Sequence, residues 1–297
     1  MHESWQKRFT ESLDVMKSED RSRTTVSVSD FTIGGGDFVT MAGPCSVETE
    51  AQLMATAEHL SRCGVRILRG GAFKPRSSPY AFQGLGEAGL KLLARAREAT
   101  GMAVVTEVMS VQDLPLVACY ADILQIGSRN MENDALLEAA ARSGRPILLK
   151  RGLMATVEEF LRAAQRILSC GNPNVILCER GIRGYEPSMR NTFDVASMML
   201  IRQISHLPVI ADPSHACGHA EVVPHLARVA VAAGVDGMIV EVHPDPSAAW
   251  SDGPQSLDFA AFDAMMAMLD PWITLRSMEL STIFSHPESV HVMESVG

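Results

Sequence analysis

The sequence predicts an α/β protein, a (β/α)8 barrel of the TIM type with an N-terminal β-hairpin. Three observations point there. Eight short runs rich in β-branched and aliphatic residues recur from residue 38 onward. Stretches with apolar residues at helical spacing separate them. The runs are apolar throughout rather than alternating, as strands covered on both faces are. A chain of 297 residues suits eight such units in one closed sheet. An open doubly wound sheet is the competing topology, but no Gly-rich dinucleotide fingerprint follows the first run.

In chain order, residues 1–24 read as an arm, polar and of mixed charge. Residues 25–38, TVSVSDFTIGGGDF, alternate apolar and polar around a Gly-Gly-Gly turn, which predicts a small hairpin closing the N-terminal end of the barrel. Strands are predicted at Phe38–Met41, Val65–Leu68, Ala103–Val108, Asp122–Ile126, Pro146–Leu149, Asn174–Leu177, Pro208–Ala211 and Gly237–Val240. Leu53, Met54, Ala57 and Leu60 share one helical face, as do Val157, Leu161, Ala164 and Leu168. Thr156 followed by Glu159 reads as a capping box opening the second of these helices. SLDFAAFDAMMAML supplies a closing helix, and the tail 271–297 carries no interpretable motif. With no long linker, low-complexity tract or repeat, residues 25–270 read as a single catalytic domain.

Composition narrows the function. No apolar run approaches the length of a membrane span, and the N-terminus is not a basic-then-apolar signal, so a soluble cytoplasmic protein is expected. The six cysteines have no motif spacing and read as reduced thiols. A net charge of −9 argues against nucleic acid or an anionic membrane as partner. Short basic windows, ILRGGAFKPR, GSRN, LLKRG and CERGIRG, run against that balance and suggest a small anionic ligand.

A barrel places its chemistry at the C-terminal ends of its strands. Those positions hold Cys45; Arg69, Lys74 and Arg76; Glu107; Arg129; Lys150; Glu179 and Arg180; His215; Glu241 and His243; with Asp252 a little beyond. Arg69, Lys74, Arg129, Lys150 and Arg180 are fixed cations, and their convergence on one rim would demand a ligand with several negative charges. Each taken alone could instead pair with a surface carboxylate. Cys45, His215, Glu241 and Asp252 form a mixed S/N/O set that suits a divalent transition metal. Each of these also has a plain reading: a buried thiol, a loop imidazole, a surface charge, a turn former before Gly253. Only a closed barrel could bring the first strand beside the seventh and eighth.

The blocks MAGPCSVE, ILRGGAFKPRSSPYAFQGLGEAGLKLL, DILQIGSRNM, LLKRGLMATVEEFL, NVILCERGIR, RNTFDV, LPVIADPSHACG and MIVEVHPDPSAAWSDGPQSL together resemble the 3-deoxy-D-arabino-heptulosonate 7-phosphate (DAHP) synthases. The likeness is to the subfamily near 3-deoxy-octulosonate 8-phosphate synthase, and it spans residues 25 to about 268. It implies condensation of phosphoenolpyruvate with D-erythrose 4-phosphate, releasing phosphate, as the first step of the shikimate pathway. It also implies a divalent metal ion (Mn, Fe, Zn or Co) and a homo-oligomer, dimer or tetramer.

Carried over by motif, Cys45, His215, Glu241 and Asp252 fall where the family binds metal. Arg69, Lys74, Ser128, Arg129, Lys150 and Arg180 fall where it holds phosphoenolpyruvate. Arg76 and Ser77 match the region that takes the aldose phosphate. Glu107 and Lys150 are the candidates for water handling and proton donation, beside Cys45 and His215 in the catalytic set. KPRS at residues 74–77, where octulosonate synthases typically carry KANR, favours erythrose 4-phosphate over arabinose 5-phosphate. GHAEVV after His215 and GYEPSM before RNTF depart from the related pattern. The flanking segments are too short for the regulatory or chorismate mutase domain that some members carry, so control through a fused domain is not expected. A barrel kept only as a binding partner would have no need of the metal quartet and the cation set.

Overall fold

The computed structural model describes residues 13–74, 80 and 82–285. A two-stranded antiparallel sheet comes first, β1 (Val26–Val28) and β2 (Phe31–Ile33). Eight parallel strands follow: β3 (Val39–Gly43), β4 (Ile67–Arg69), β5 (Ala103–Glu107), β6 (Ile123–Ile126), β7 (Ile147–Lys150), β8 (Val175–Glu179), β9 (Val209–Ala211) and β10 (Gly237–Glu241). Each pairs with its sequence neighbour, and β10 pairs with β3 from Gly237↔Val39 to Glu241↔Gly43, closing the barrel. All eight expected strands are present, displaced at their ends by one or two residues.

The hairpin is present too, but its turn lies elsewhere than expected. Ser29 and Asp30 make the reversal, Ser29 with φ 50°, and the glycine run 34–36 follows β2. Two-residue hairpin turns need positive φ at their first position. Ser29 accepts that conformation, so the glycines are free to lead the chain into β3. Val26, Val28 and Ile33 pack onto the inward side chains of the barrel, closing its N-terminal end.

Helices line the outside: α1 (Glu50–Arg62), α2 (Glu87–Thr100), α3 (Leu114–Tyr120), α4 (Asp134–Arg142), α5 (Val157–Ser169), α6 (Val195–Ile204), α7 (Pro213–Cys217), α8 (Val223–Ala232) and α9 (Phe259–Ser285). The capping box opening α5 forms in full: Glu159 N–H donates to Thr156 Oγ1 at 3.2 Å, and Thr156 N–H to Glu159 Oε2 at 2.7 Å. In α1, Leu53, Ala57 and Leu60 are buried, with Met54 half-buried at the edge of the stripe.

The closing helix runs further than the sequence pattern indicates, passing through Pro271 to Ser285. A helix-interior proline costs about 3 kcal/mol. Packing beyond it compensates. Arg276, buried beneath the barrel, donates to Gly36 O at 2.7 Å and lies 3.3 Å from Asp236 Oδ1.

Strand periodicity sorts the core into two layers. Met41, Ile67, Ala103, Val105, Ile123, Leu148, Ile176, Cys178, Ile210 and Ile239 fill the barrel interior. Their neighbours Ala42, Leu68, Val104, Leu124, Leu149, Leu177 and Val240 face the helices. The alternation is that of successive Cβ atoms on a pleated strand.

Candidate active site

Continuing the inward alternation one step past the apolar layer names the floor of the site. The next inward positions are Arg69 on β4, Glu107 on β5, Gln125 on β6, Lys150 on β7, Arg180 after β8, Asp212 after β9 and Glu241 on β10. All are polar, and six of the seven are ionisable. Apolar side chains fill the barrel up to this level; above it the interior opens into a cavity. Glu179, one residue out of that phase, faces the helices and pairs with Arg151 Nη1 at 2.8 Å. Among the expected rim residues it belongs to the scaffold. His243 does the same work, its Nε2 standing 3.2 Å from Glu48 Oε2.

A cavity of about 380 Å³ opens above this floor. It is lined by Cys45, Arg69, Lys74, Glu107, Ser128, Arg129, Lys150, Arg180, His215 and Asp252 among others. All five cations singled out in the sequence therefore meet, and Arg183 and Arg190 join them from the β8–α6 loop. Among the described residues, seven lining side chains are Lys or Arg against two carboxylates. In a chain of net charge −9 this is a locally inverted field, built for anions. Arg76 and Ser77 lie outside the described residues.

The floor is a network of buried charges. Arg69 Nη1 pairs with Glu241 Oε1 at 2.7 Å, both nearly inaccessible to solvent. Gln255 Nε2 donates to the other oxygen of Glu241 at 2.6 Å. Lys150 Nζ donates to Asp212 Oδ2, and the same oxygen stands 2.8 Å from His215 Nδ1. Asp212 is also the cap of α7, accepting from His215 N–H at 2.9 Å through Oδ1. One carboxylate thus fixes both the lysine and the imidazole. Burial works against ionisation of Asp212, but the neighbouring His215 and Lys150 charges outweigh it and hold its carboxyl well below the usual range. Glu241 follows the same logic: burial opposes, and His215, Arg69 and Lys74 prevail, keeping it ionised.

Cys45, His215, Glu241 and Asp252 place one donor atom each within 4.8 Å of one another. Four separate elements deliver them: the loops after β3 and β10, the short helix α7, and the end of β10 itself. Lys74 Nζ donates to Cys45 Sγ at 2.9 Å, and Cys45 Sγ–H to Asp252 Oδ2 at 2.9 Å. Burial, then the charge of Glu241, pushes the Cys45 thiol up to about 12. Asp252 adopts φ 53°, a left-handed backbone conformation that a residue without a β-branch tolerates at a cost of about 1–3 kcal/mol. Such strain is found where the surroundings over-determine a side chain's position. The donor set, one thiol, one imidazole and two carboxylates at coordination spacing, fits a divalent transition ion.

Glu107 reaches into the cavity from β5, held by Gln125 Nε2 at 3.1 Å. Its carboxyl lies over residue 127, where a Cβ would stand 2.1 Å from Oε1. A larger residue there would force the Glu107 carboxylate to move.

The chain matches the family described as DAHP synthetase I over residues 16–273. It belongs to that family. Among its relatives, the phospho-2-dehydro-3-deoxyheptonate aldolase of Thermotoga maritima is 54% identical over 243 residues, 82% of this chain and 72% of that one. The crystal structure of the Thermotoga DAHP synthase superposes with a TM-score of 0.87 at 48% identity, covering 90% of this chain and 78% of that one. A 2-dehydro-3-deoxyphosphooctonate aldolase from a Geobacter species is 34% identical over 264 residues, 82% of this chain and 95% of that one. Among the described residues no helix is long and apolar enough to cross a membrane.

Sequence reasoning missed Asp212, Gln125 and Arg190. Asp212 hides in ADPSH as an ordinary Asp-Pro turn, and Gln125 carries no charge to draw attention. Both would have emerged from counting inward positions up each strand rather than looking for charges near strand ends. Arg190 had no such signal. It comes from a long loop, and only its 2.6 Å contact to Gln255 Oε1 and 3.3 Å contact to Asp252 Oδ1 bring it to the site.

Proposed function

We propose that this barrel condenses phosphoenolpyruvate with D-erythrose 4-phosphate to give DAHP and inorganic phosphate, opening the shikimate route to aromatic amino acids. The observation that carries the reading is the convergence of a four-donor metal set and a ring of fixed cations on one mouth of the barrel. Cys45, His215, Glu241 and Asp252 hold the divalent ion. When bound there, it supplies a Lewis acid for the aldehyde oxygen of the sugar phosphate.

The chain's own residues do the rest. Arg69, Lys74, Arg129, Lys150 and Arg180, with Ser128, neutralise the phosphate and carboxylate of phosphoenolpyruvate and fix its orientation. Two anionic substrates can then approach without mutual repulsion. Two floor atoms support that role: Arg69 Nε and Arg180 Nη1 are buried donors with no partner among the described residues. Such atoms are costly unless a ligand satisfies them. Arg76 and Ser77 take the phosphate of the sugar. The enol carbon attacks the aldehyde, water adds at the resulting cationic centre, and the tetrahedral adduct loses phosphate by C–O cleavage. Glu107 handles that water, and Lys150, steadied by Asp212, donates the proton to the new hydroxyl.

The same reading takes residues 25–270 as one catalytic domain, with 1–24 as an arm and 271–297 as a tail, the first part of which continues the closing helix to Ser285. A homo-oligomer in the cytoplasm belongs to it as well and rests on the family relationship.

The test is direct. Purified protein with phosphoenolpyruvate and either erythrose 4-phosphate or arabinose 5-phosphate is followed for phosphate release, with and without chelator. Release with the four-carbon sugar, lost on chelation and restored by a divalent ion, is expected. Turnover with neither sugar in the presence of metal would reject the reading.

A further inference from the structure

A second cluster of donor atoms lies at the opposite end of the barrel. Each barrel helix runs back from the catalytic rim, so α1, thirteen residues long, ends about 20 Å away from the mouth. His59 and its C-cap Cys63 are four residues apart and therefore neighbours on one helical face. Asp263, in the second turn of α9, reaches across to them. His59 Nε2 stands 2.8 Å from Asp263 Oδ1, Cys63 Sγ 3.2 Å from the same oxygen, and Sγ 3.7 Å from Nε2.

Two features separate this from a chance polar cluster. The thiol and the carboxylate both address the same ring nitrogen of His59. A catalytic relay would instead use the two nitrogens separately, one toward the nucleophile and one toward the acid. Three donors crowding one point is the arrangement of ligands around an ion. The imidazole is also fixed in plane, stacked on Phe259 with ring centroids 4.2 Å apart and only 4° between planes. A tetrahedral zinc ion with ordinary bond lengths separates S from N and S from O by about 3.5 Å, and N from O by about 3.3 Å. The observed triangle needs to open by about half an ångström at most.

We propose that His59, Cys63 and Asp263 form a second metal site, distinct from the catalytic quartet, for a thiophilic divalent ion such as zinc. The S/N/O set excludes calcium and magnesium, which take oxygen ligands. Cys63 and Asp263 are both solvent-exposed, and Cys63 lines a surface cavity of about 220 Å³, leaving a way in and a fourth position for water. The ion ties the end of the first barrel helix to the start of the closing one, adding to the His59–Asp263 and Cys63–Asp263 contacts and the His59–Phe259 stack.

Metal counting on the full chain tests this without any turnover, so it stands apart from the reaction proposed above. Protein equilibrated with Zn²⁺ and freed of unbound ion should retain two equivalents. Cys63→Ala should retain one, Cys45→Ala one, and the double variant none. With Co²⁺, the thiolate-to-metal absorption should persist in Cys45→Ala and vanish when Cys63→Ala is added. Asp263→Asn in the Cys45→Ala background should weaken retention, and Cys63→Ala alone should leave turnover unchanged. Circular dichroism verifies folding of each variant. Retention of zinc by Cys63→Ala equal to wild type would overturn the proposal, as would a Cys45→Ala protein that binds no ion.

Discussion

Arg69 and Glu241 form a buried ion pair, Nη1 to Oε1 at 2.7 Å, that joins the cation ring to the metal-donor set. In the proposed function each member serves a different ligand, and each offsets part of the other's cost of burial, Glu241 with help from His215 and Lys74. Removing one partner of such a pair leaves the other buried and uncompensated. Glu241→Ala should therefore destabilise the metal-free protein by about 3 kcal/mol. Urea unfolding in the presence of chelator measures it. An unchanged midpoint would show that water or Cys45 relieves Arg69.

Asp212 holds both Lys150 and His215. Asp212→Asn keeps the shape while removing the charge. Loss of a carboxylate behind a metal-ligating imidazole costs roughly 10–100-fold in affinity or activity. A fall in kcat of that size is expected, with a raised metal requirement and a displaced pH profile. A wild-type pH profile would reduce Asp212 to a helix cap.

Cys45→Ser should retain the fold and lose most activity and metal. Burial has already driven the thiol toward its protonated form, so in the proposed function a bound ion would be what holds a thiolate there. Serine, a far weaker acid, offers no such ligand. Turnover at the wild-type rate would remove Cys45 from the site.

Arg180 Nη1 is a buried donor with no hydrogen-bond partner among the described residues. A hydrogen bond to a charged group contributes about 1.5–3 kcal/mol, so Arg180→Ala should raise KM for phosphoenolpyruvate roughly 10- to 150-fold, more than it raises KM for the sugar phosphate. Equal effects on both would place Arg180 elsewhere in the complex.

His206 predicts a pH dependence of stability. It anchors the N-terminal segment, accepting from Thr24 Oγ1 at Nδ1 (2.7 Å) and donating from Nε2 to Asp14 O (2.6 Å). Burial lowers its pKa below the usual histidine value. The unfolded chain therefore takes up this proton first, and stability falls as pH drops below about 6.5 toward the lowered folded value. His206→Gln should flatten that slope between pH 6.5 and 5 in urea titrations. A steeper slope in the variant would reverse the sign.

The legible part of this protein was its periodicity. Eight doubly buried strands without a dinucleotide fingerprint favoured a closed barrel over an open doubly wound sheet, and a closed barrel has one catalytic rim, so residues as distant as Cys45 and Asp252 could be assigned to one mouth from the sequence. The capping box at Thr156 was equally local, written into four consecutive residues. The turn at Ser29 and Asp30 was hidden because glycines signal permission for a turn, not its position. The length of α9 was hidden because Pro271 is a local veto, while the Arg276 contacts that override it come from distant parts of the chain. Asp212 gives the sharpest division. Its place in ADPSH marks an ordinary helix start, and only three-dimensional packing presses it between Lys150 and His215. Hydrophobic pattern is a property of neighbours along the chain and determines the fold; which buried charge answers which depends on distances across the barrel, and the tertiary structure alone decides that.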